Sequence, residues 1–122
     1  MYYLKIEKYF AAAHNLINYH GKCEELHGHN WKIEVVVKGE SLDNAGMLLD
    51  FKILKAYLEE ILETLDHKYL NELEAFKGVS PSSEYIAKYI YEQFQKKLSS
   101  TNVEVYEVSA WESSNSCAIY RR

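Results

Sequence analysis

Two segments of alternating polarity, each with histidine at one end of its apolar side, do most to limit what this chain can fold into. From Tyr2 to His14, one side carries Tyr2, Leu4, Ile6, Phe10, Ala12 and His14, interrupted only by Lys8. The other carries Tyr3, Lys5, Glu7, Tyr9, Ala11 and Ala13. From His27 to Lys38, the residues His27, His29, Trp31, Ile33, Val35 and Val37 share a side, opposite Gly28, Asn30, Lys32, Glu34 and Lys38. A period of two is the signature of a half-buried strand. In both strands the histidines lie on the face expected to be core.

The remainder reads as two helices and two closing strands. Asp50 is placed as an N-cap, followed by Phe51, Leu54, Leu58, Ile61, Leu62 and Leu65 at helical spacing. Ser80-Pro81 predicts a second helix, with serine as cap and proline at the first helical position; its stripe is Ile86, Ala87, Ile90, Phe94 and Leu98. Val103–Glu112 and Ser116–Arg121 complete an order of ββααββ. That order predicts an α+β domain, an antiparallel sheet with both helices on one face. At 122 residues, 1–122 is expected to be a single domain. The other sheet face, with Lys5, Glu7, Lys32, Glu34 and Lys38, is expected to be wet, and the open strand edges invite pairing with another copy.

Composition narrows the function. No apolar run reaches the ~18–20 residues of a membrane span. The N-terminus lacks the apolar core of a signal peptide, so the cytoplasm is the expected compartment. Eighteen acidic against 14 basic residues, a net charge of −4, argue against a nucleic-acid partner. Two cysteines rule out a disulfide scaffold.

His27-Gly28-His29 places two imidazoles on one strand face about 6.6 Å apart along the backbone. If the first two strands pair antiparallel, His14 lands beside them, and three imidazoles make a zinc site with a fourth position open. No fourth protein ligand stands out. The connection from Asn15 to Leu26 is long for a hairpin and carries Cys23 in a polar setting, where a thiol can act as base or nucleophile. His20 in the same loop reads as solvated, and Cys117 as a buried, inert thiol. Asp66-His67 is an acid–base pair of a kind common by chance. Glu84 and Glu112 are carboxylates able to accept the N–H edge of a base-like ring, although a helix-start acid and a strand-end charge explain them as well.

Six stretches in order, Phe10–His14, Cys23–Trp31, Gly46–Phe51, Leu65–His67, Pro81–Glu84 and Trp111–Ser113, resemble the 6-pyruvoyl-tetrahydropterin synthase family, and most its 6-carboxy-5,6,7,8-tetrahydropterin synthase branch. The resemblance implies the tunnelling fold, in which such subunits join edge to edge into a barrel. It implies a homo-oligomer, a hexamer built from trimers, with active sites at subunit interfaces. It implies Zn2+ on His14, His27 and His29. Cys23, Asp66 and His67 would be catalytic, while Glu112, Glu84, Ser82 and Ser83 would bind substrate. The implied activity is a carbon–carbon lyase converting 7,8-dihydroneopterin triphosphate to 6-carboxy-5,6,7,8-tetrahydropterin, acetaldehyde and triphosphate, toward the queuosine base.

The chain departs from the family pattern at several positions. Ser82 and Ser83 stand for threonines, Tyr85 for an asparagine and Trp31 for a tyrosine. Some relatives use glutamate in place of the cysteine and cleave to 6-hydroxymethyl-dihydropterin; here Glu24 and Glu25 follow Cys23. The alternatives are therefore that folate-type cleavage, triphosphate elimination without side-chain cleavage, or a non-catalytic zinc- and pterin-binding protein. Lys22, Lys52, Lys55, Lys68 and Arg121 are the candidate phosphate contacts.

Overall fold

A computed structural model describes residues 1–122. Strands β1 (Tyr2–His14) and β2 (His27–Gly39) are followed by helix α1 (Phe51–Glu63) and two short 3₁₀ turns at Leu70–Glu72 and Glu74–Phe76. Helix α2 (Ser83–Lys97) then leads into β3 (Glu104–Ser113) and β4 (Ser116–Tyr120). The sheet order is β1-β2-β3-β4, every pair antiparallel. This is the α+β arrangement that the alternation and the helical stripes predict.

One core forms between the sheet and the helices. The inward residues of β1 and β2, including Ile6, Phe10, Trp31, Ile33 and Val35, meet Leu54 and Leu58 of α1 and Ile86, Ile90 and Phe94 of α2. Both amphipathic helices hide their apolar stripes on the same sheet face, which leaves the other face without a layer. On that open face Lys5 pairs with Glu34 at 3.2 Å and Lys32 with Glu7 at 4.0 Å, while the Trp111 indole donates to Glu34. Burial alone would raise the Glu34 carboxyl, but the donors Trp111 and Lys5 outweigh it and hold it low. Cys117 is exposed, contrary to expectation. It pairs with Trp111 across β3 and β4, on the face that no helix covers.

The start of α2 also differs from expectation. The N-cap is Ser82, whose hydroxyl accepts from the Tyr85 N–H at 3.2 Å, and Pro81 precedes it. Ser80 is free of capping because it has another partner: its hydroxyl accepts from the Ile17 N–H and donates to the Ile17 carbonyl. The 3₁₀ turns have no periodic signal in the sequence. Leu65 lies beyond α1, yet is fully buried as the stripe requires. Asp50 caps α1 as expected, accepting from Lys52 at 2.8 Å.

Part of the outer edge of β1 is taken. Ala11 N–H donates to Asp66 Oδ1 at 2.9 Å, the His67 N–H donates to the Ala11 carbonyl at 2.6 Å, and Ala13 N–H donates to the Lys68 carbonyl at 3.0 Å. The segment after α1 is thereby stitched along the last turns of β1, while the first two-thirds of that edge has no strand against it.

Candidate metal centre and adjoining cleft

The antiparallel register of β1 and β2 sets His14 opposite His27 and Ala12 opposite His29. Because residues two apart share a face, the three imidazoles meet at one end of the sheet, beside the start of α2. Their ring centroids lie 4.6 Å (His14–His27), 5.3 Å (His14–His29) and 4.7 Å (His27–His29) apart. Glu112 joins them, so that one donor atom from each of the four residues lies within 4.8 Å of the others. The β3–β4 pairing shifts between Trp111 and Ser113, which makes Glu112 the residue of a bulge. Bulges re-aim side chains beside sites of this kind. The carboxylate is a fourth donor that sequence spacing does not reveal.

Two of the imidazoles are oriented as ligands. His14 Nδ1 bonds the Pro81 carbonyl at 2.8 Å, and His27 Nδ1 bonds the Glu25 carbonyl at 2.9 Å. A proton held at Nδ1 leaves Nε2 with its lone pair, the arrangement metal-binding histidines adopt. His14 is almost wholly buried, at 2% exposure. Burial also pushes the His29 imidazole below its usual range, opposed by Glu112 and aided by His14 and His27. Glu112 Oε1 lies 2.9 Å from His29 Nε2 and 3.5 Å from His14 Nε2. Buried side-chain polar atoms without a hydrogen-bond partner occur only here in the chain: His14 Nε2, His29 Nε2 and Trp31 Nε1. A buried orphan typically costs about 1–3 kcal/mol. A cation between the rings removes that cost for both imidazoles, and an imidazole–carboxylate donor set suits zinc. The residues fit a metal.

A cleft of about 260 Å³ opens from His14 and is lined by Ser82, Ser83, Glu84, Glu112 and, from the long loop, Glu24. Four of the residues expected to bind substrate thus come together beside His14. Glu24 is well fixed, its Oε1 accepting from the Leu16 N–H at 3.1 Å and its own N–H donating to the Leu16 carbonyl. Cys23 does not line this cleft and is exposed. His20 is solvated, as expected.

Asp66 and His67 lie elsewhere on the chain surface. His67 Nδ1 and Asp66 Oδ2 are 2.9 Å apart, and the His67 side chain is 81% exposed. His67 adopts φ 57°, which turns the chain as it leaves α1 and meets the β1 edge. The Ala11 N–H, with His67 beside it, holds the Asp66 carboxyl below its usual range. His67 and Lys68 line a second, open cleft with Ala11–Ala13, Gly28 and His29. Of the five candidate phosphate contacts, Lys68 lines the open cleft that includes His29. Arg121 is paired with Glu107 at 3.1 Å.

Sequence reasoning missed the clasp that holds the long loop. Asn71 accepts from the Asn15 N–H at 3.0 Å and donates to the Asn15 carbonyl at 2.8 Å, while the Tyr69 hydroxyl donates to Asn15 Oδ1. Pro81 contributes through its carbonyl alone, which no side-chain pattern can signal.

A family model described as 6-pyruvoyl tetrahydropterin synthase matches residues 3–122. A Synechocystis protein named 6-carboxy-5,6,7,8-tetrahydropterin synthase is 39% identical over 92 residues, 71% of this chain and 70% of that protein. A Pyrococcus furiosus protein named dihydroneopterin monophosphate aldolase is 38% identical over 89 residues, 73% of this chain and 72% of that one. The Caenorhabditis elegans 6-pyruvoyl tetrahydropterin synthase structure superposes with a TM-score of 0.84 at 26% identity, covering 99% of this chain and 95% of that one.

Proposed function

The chain belongs to the 6-pyruvoyl tetrahydropterin synthase family, and from that premise we propose that it is a zinc-dependent carbon–carbon lyase. It converts 7,8-dihydroneopterin triphosphate and one water to 6-carboxy-5,6,7,8-tetrahydropterin, acetaldehyde and triphosphate, the water supplying the second carboxylate oxygen. The observation that carries the reading is the convergence of His14, His27 and His29 beside a cleft that also holds Glu112, Glu84, Ser82 and Ser83. A relative named for this reaction supports the choice of branch.

In this reading His14, His27 and His29 would hold the ion. Bound zinc supplies a Lewis acid that polarises substrate oxygens and acidifies the C–H bonds next to them. Glu112, although near enough to be a fourth donor, leaves that position open and accepts the N–H edge of the pterin ring, which fixes the side chain of the substrate against the histidines. Glu84 adds a second acceptor at the start of α2. Ser83 offers a free hydroxyl, whereas the Ser82 oxygen already accepts from Tyr85 and has its own O–H to give. Cys23 and His67, the latter oriented by Asp66, move protons as triphosphate leaves.

Cys23 and His67 reach the substrate from outside the cleft, so the reading includes assembly. The cleft of about 260 Å³ adjoins another of about 340 Å³ that shares Ser83, Glu84 and Glu112, room on the scale of the ~300–1,000 Å³ of ligand pockets, but neither contains Cys23 or His67. Two exposed catalytic groups and a free β1 edge fit a site completed by a neighbouring copy, in a hexamer built from trimers. The domain spans 1–122, and the cytoplasm is the compartment proposed; no helix is long and apolar enough to cross a membrane.

The second reading is aldol-type cleavage to a 6-hydroxymethyl product. One observation favours it: Glu24, not Cys23, lines the cleft beside His14. A relative named as an aldolase is of comparable identity. The deciding experiment incubates the zinc-loaded protein with dihydroneopterin triphosphate and reads acetaldehyde and product mass. Acetaldehyde with the 6-carboxy product supports the first reading. A 6-hydroxymethyl product supports the second, triphosphate without carbon loss indicates pyruvoyl-type elimination, and binding without turnover indicates a non-catalytic pterin protein.

A further inference from the structure

Two of the three imidazoles are oriented by the backbone: His14 by the Pro81 carbonyl and His27 by the Glu25 carbonyl. His29 has no such hydrogen bond. Its Nε2 lies 2.9 Å from the Glu112 carboxylate, and the body of the ring packs on Trp31, two residues on and on the same strand face. The indole is fully buried. It stacks on Phe10, its partner in the β1–β2 register, with centroids 5.3 Å apart and planes 9° from parallel. It stands edge to face against His29 at 5.1 Å and 72°, and against His14 at 4.8 Å and 83°. Offset and edge-to-face arrangements are the favourable ones for aromatic pairs.

The indole also carries a penalty. Its Nε1–H is buried with no acceptor in the chain, and a cation that satisfies the imidazole nitrogens cannot satisfy a donor. Phenylalanine would fill much of the same space without that penalty. Besides Phe10, the rings packed against the indole are those of the two histidines.

We propose that Trp31 is a positioning residue of the metal centre, fixing the His29 ring by aromatic packing where Pro81 and Glu25 fix the other two by hydrogen bonds. The inference rests on the reading that the histidines hold a metal, and it requires nothing of the pterin chemistry. Its test uses zinc alone, by chelator competition, together with the visible absorption of the cobalt-loaded protein. Groups that orient metal ligands typically change affinity by about 10–100-fold when replaced. Trp31→Leu is expected to weaken zinc binding within that range and to alter the cobalt spectrum. Trp31→Phe, which keeps a smaller ring, falls between Trp31→Leu and wild type. Phe94→Leu, a buried change on α2 against Tyr57, lowers the Tm but keeps affinity and spectrum. Wild-type affinity and spectrum in Trp31→Leu overturn the proposal; if that variant does not fold, Trp31→Phe decides on the same terms. A wild-type chain that binds no zinc overturns the metal reading itself, and the positioning role with it.

Discussion

The two ends of the proposed site are built in opposite ways. The metal end stands on paired strands: its histidines are set by β1–β2 register, half-buried or buried, and two of the three are held by backbone carbonyls. The acid–base end stands on loops: Cys23 and His67 are exposed, and His67 sits on a turn at the sheet edge. Groups on rigid elements keep their geometry within one chain. Groups on exposed loops need something further to hold them against a substrate, and a second copy at the β1 edge would supply it. Metal binding is therefore expected to be a property of each chain, and turnover a property of the assembly.

The change expected to break this contrast most severely is His27→Ala. Losing one of three imidazoles from an open site removes the zinc and all turnover, which metal analysis and the acetaldehyde assay read together. Next is Cys23→Ala, expected to retain one zinc per chain while losing at least 10²-fold in acetaldehyde formation, the scale of a general base. Retained acetaldehyde formation in Cys23→Ala, abolished by Glu24→Gln, would move the base from the exposed thiol to the cleft carboxylate. A third test mixes two inactive proteins. Subunits of His27→Ala and His67→Ala, dissociated and reassembled together, are expected to recover part of the activity, since some interfaces join an intact histidine set to an intact His67. No recovery would place both ends of the site in one chain.

The smallest effect is on pH. Asp66 has its carboxyl held low, first by the Ala11 N–H and then by His67. A depressed folded pKa means that the contribution is complete above the unfolded value and is lost as pH falls through the folded one. Asp66→Asn is therefore expected to flatten the acid limb of thermal stability below the usual aspartate range, with little change at neutral pH. An unchanged acid limb would remove Asp66 from the account of how the segment docks.

Legibility in the sequence follows the same division. Alternation in Tyr2–His14 and His27–Lys38 was enough to bring three histidines together, because a period of two leaves only the pairing direction to decide. The helical stripes were equally plain. What the pattern could not give was chemistry done by backbone and by irregularity. Ser80 looks like a helix cap in sequence, but it is spent on Ile17, and Ser82 caps instead. Pro81 matters for its carbonyl, and Glu112 reaches the histidines through a bulge. Cys117 reads as buried because its strand alternates, yet alternation cannot say which sheet face lacks a covering layer.

The measurement that meets the central claim most directly is X-ray absorption at the zinc edge of the loaded wild-type protein, with metal counted per chain. The account predicts one zinc held by three imidazole nitrogens at roughly 2.0–2.1 Å, with no sulfur neighbour. A sulfur scatterer at about 2.3 Å would make Cys23 a ligand rather than a base. That result, or a chain that takes up no zinc, would contradict the assignment of metal and acid–base roles to separate ends of the site.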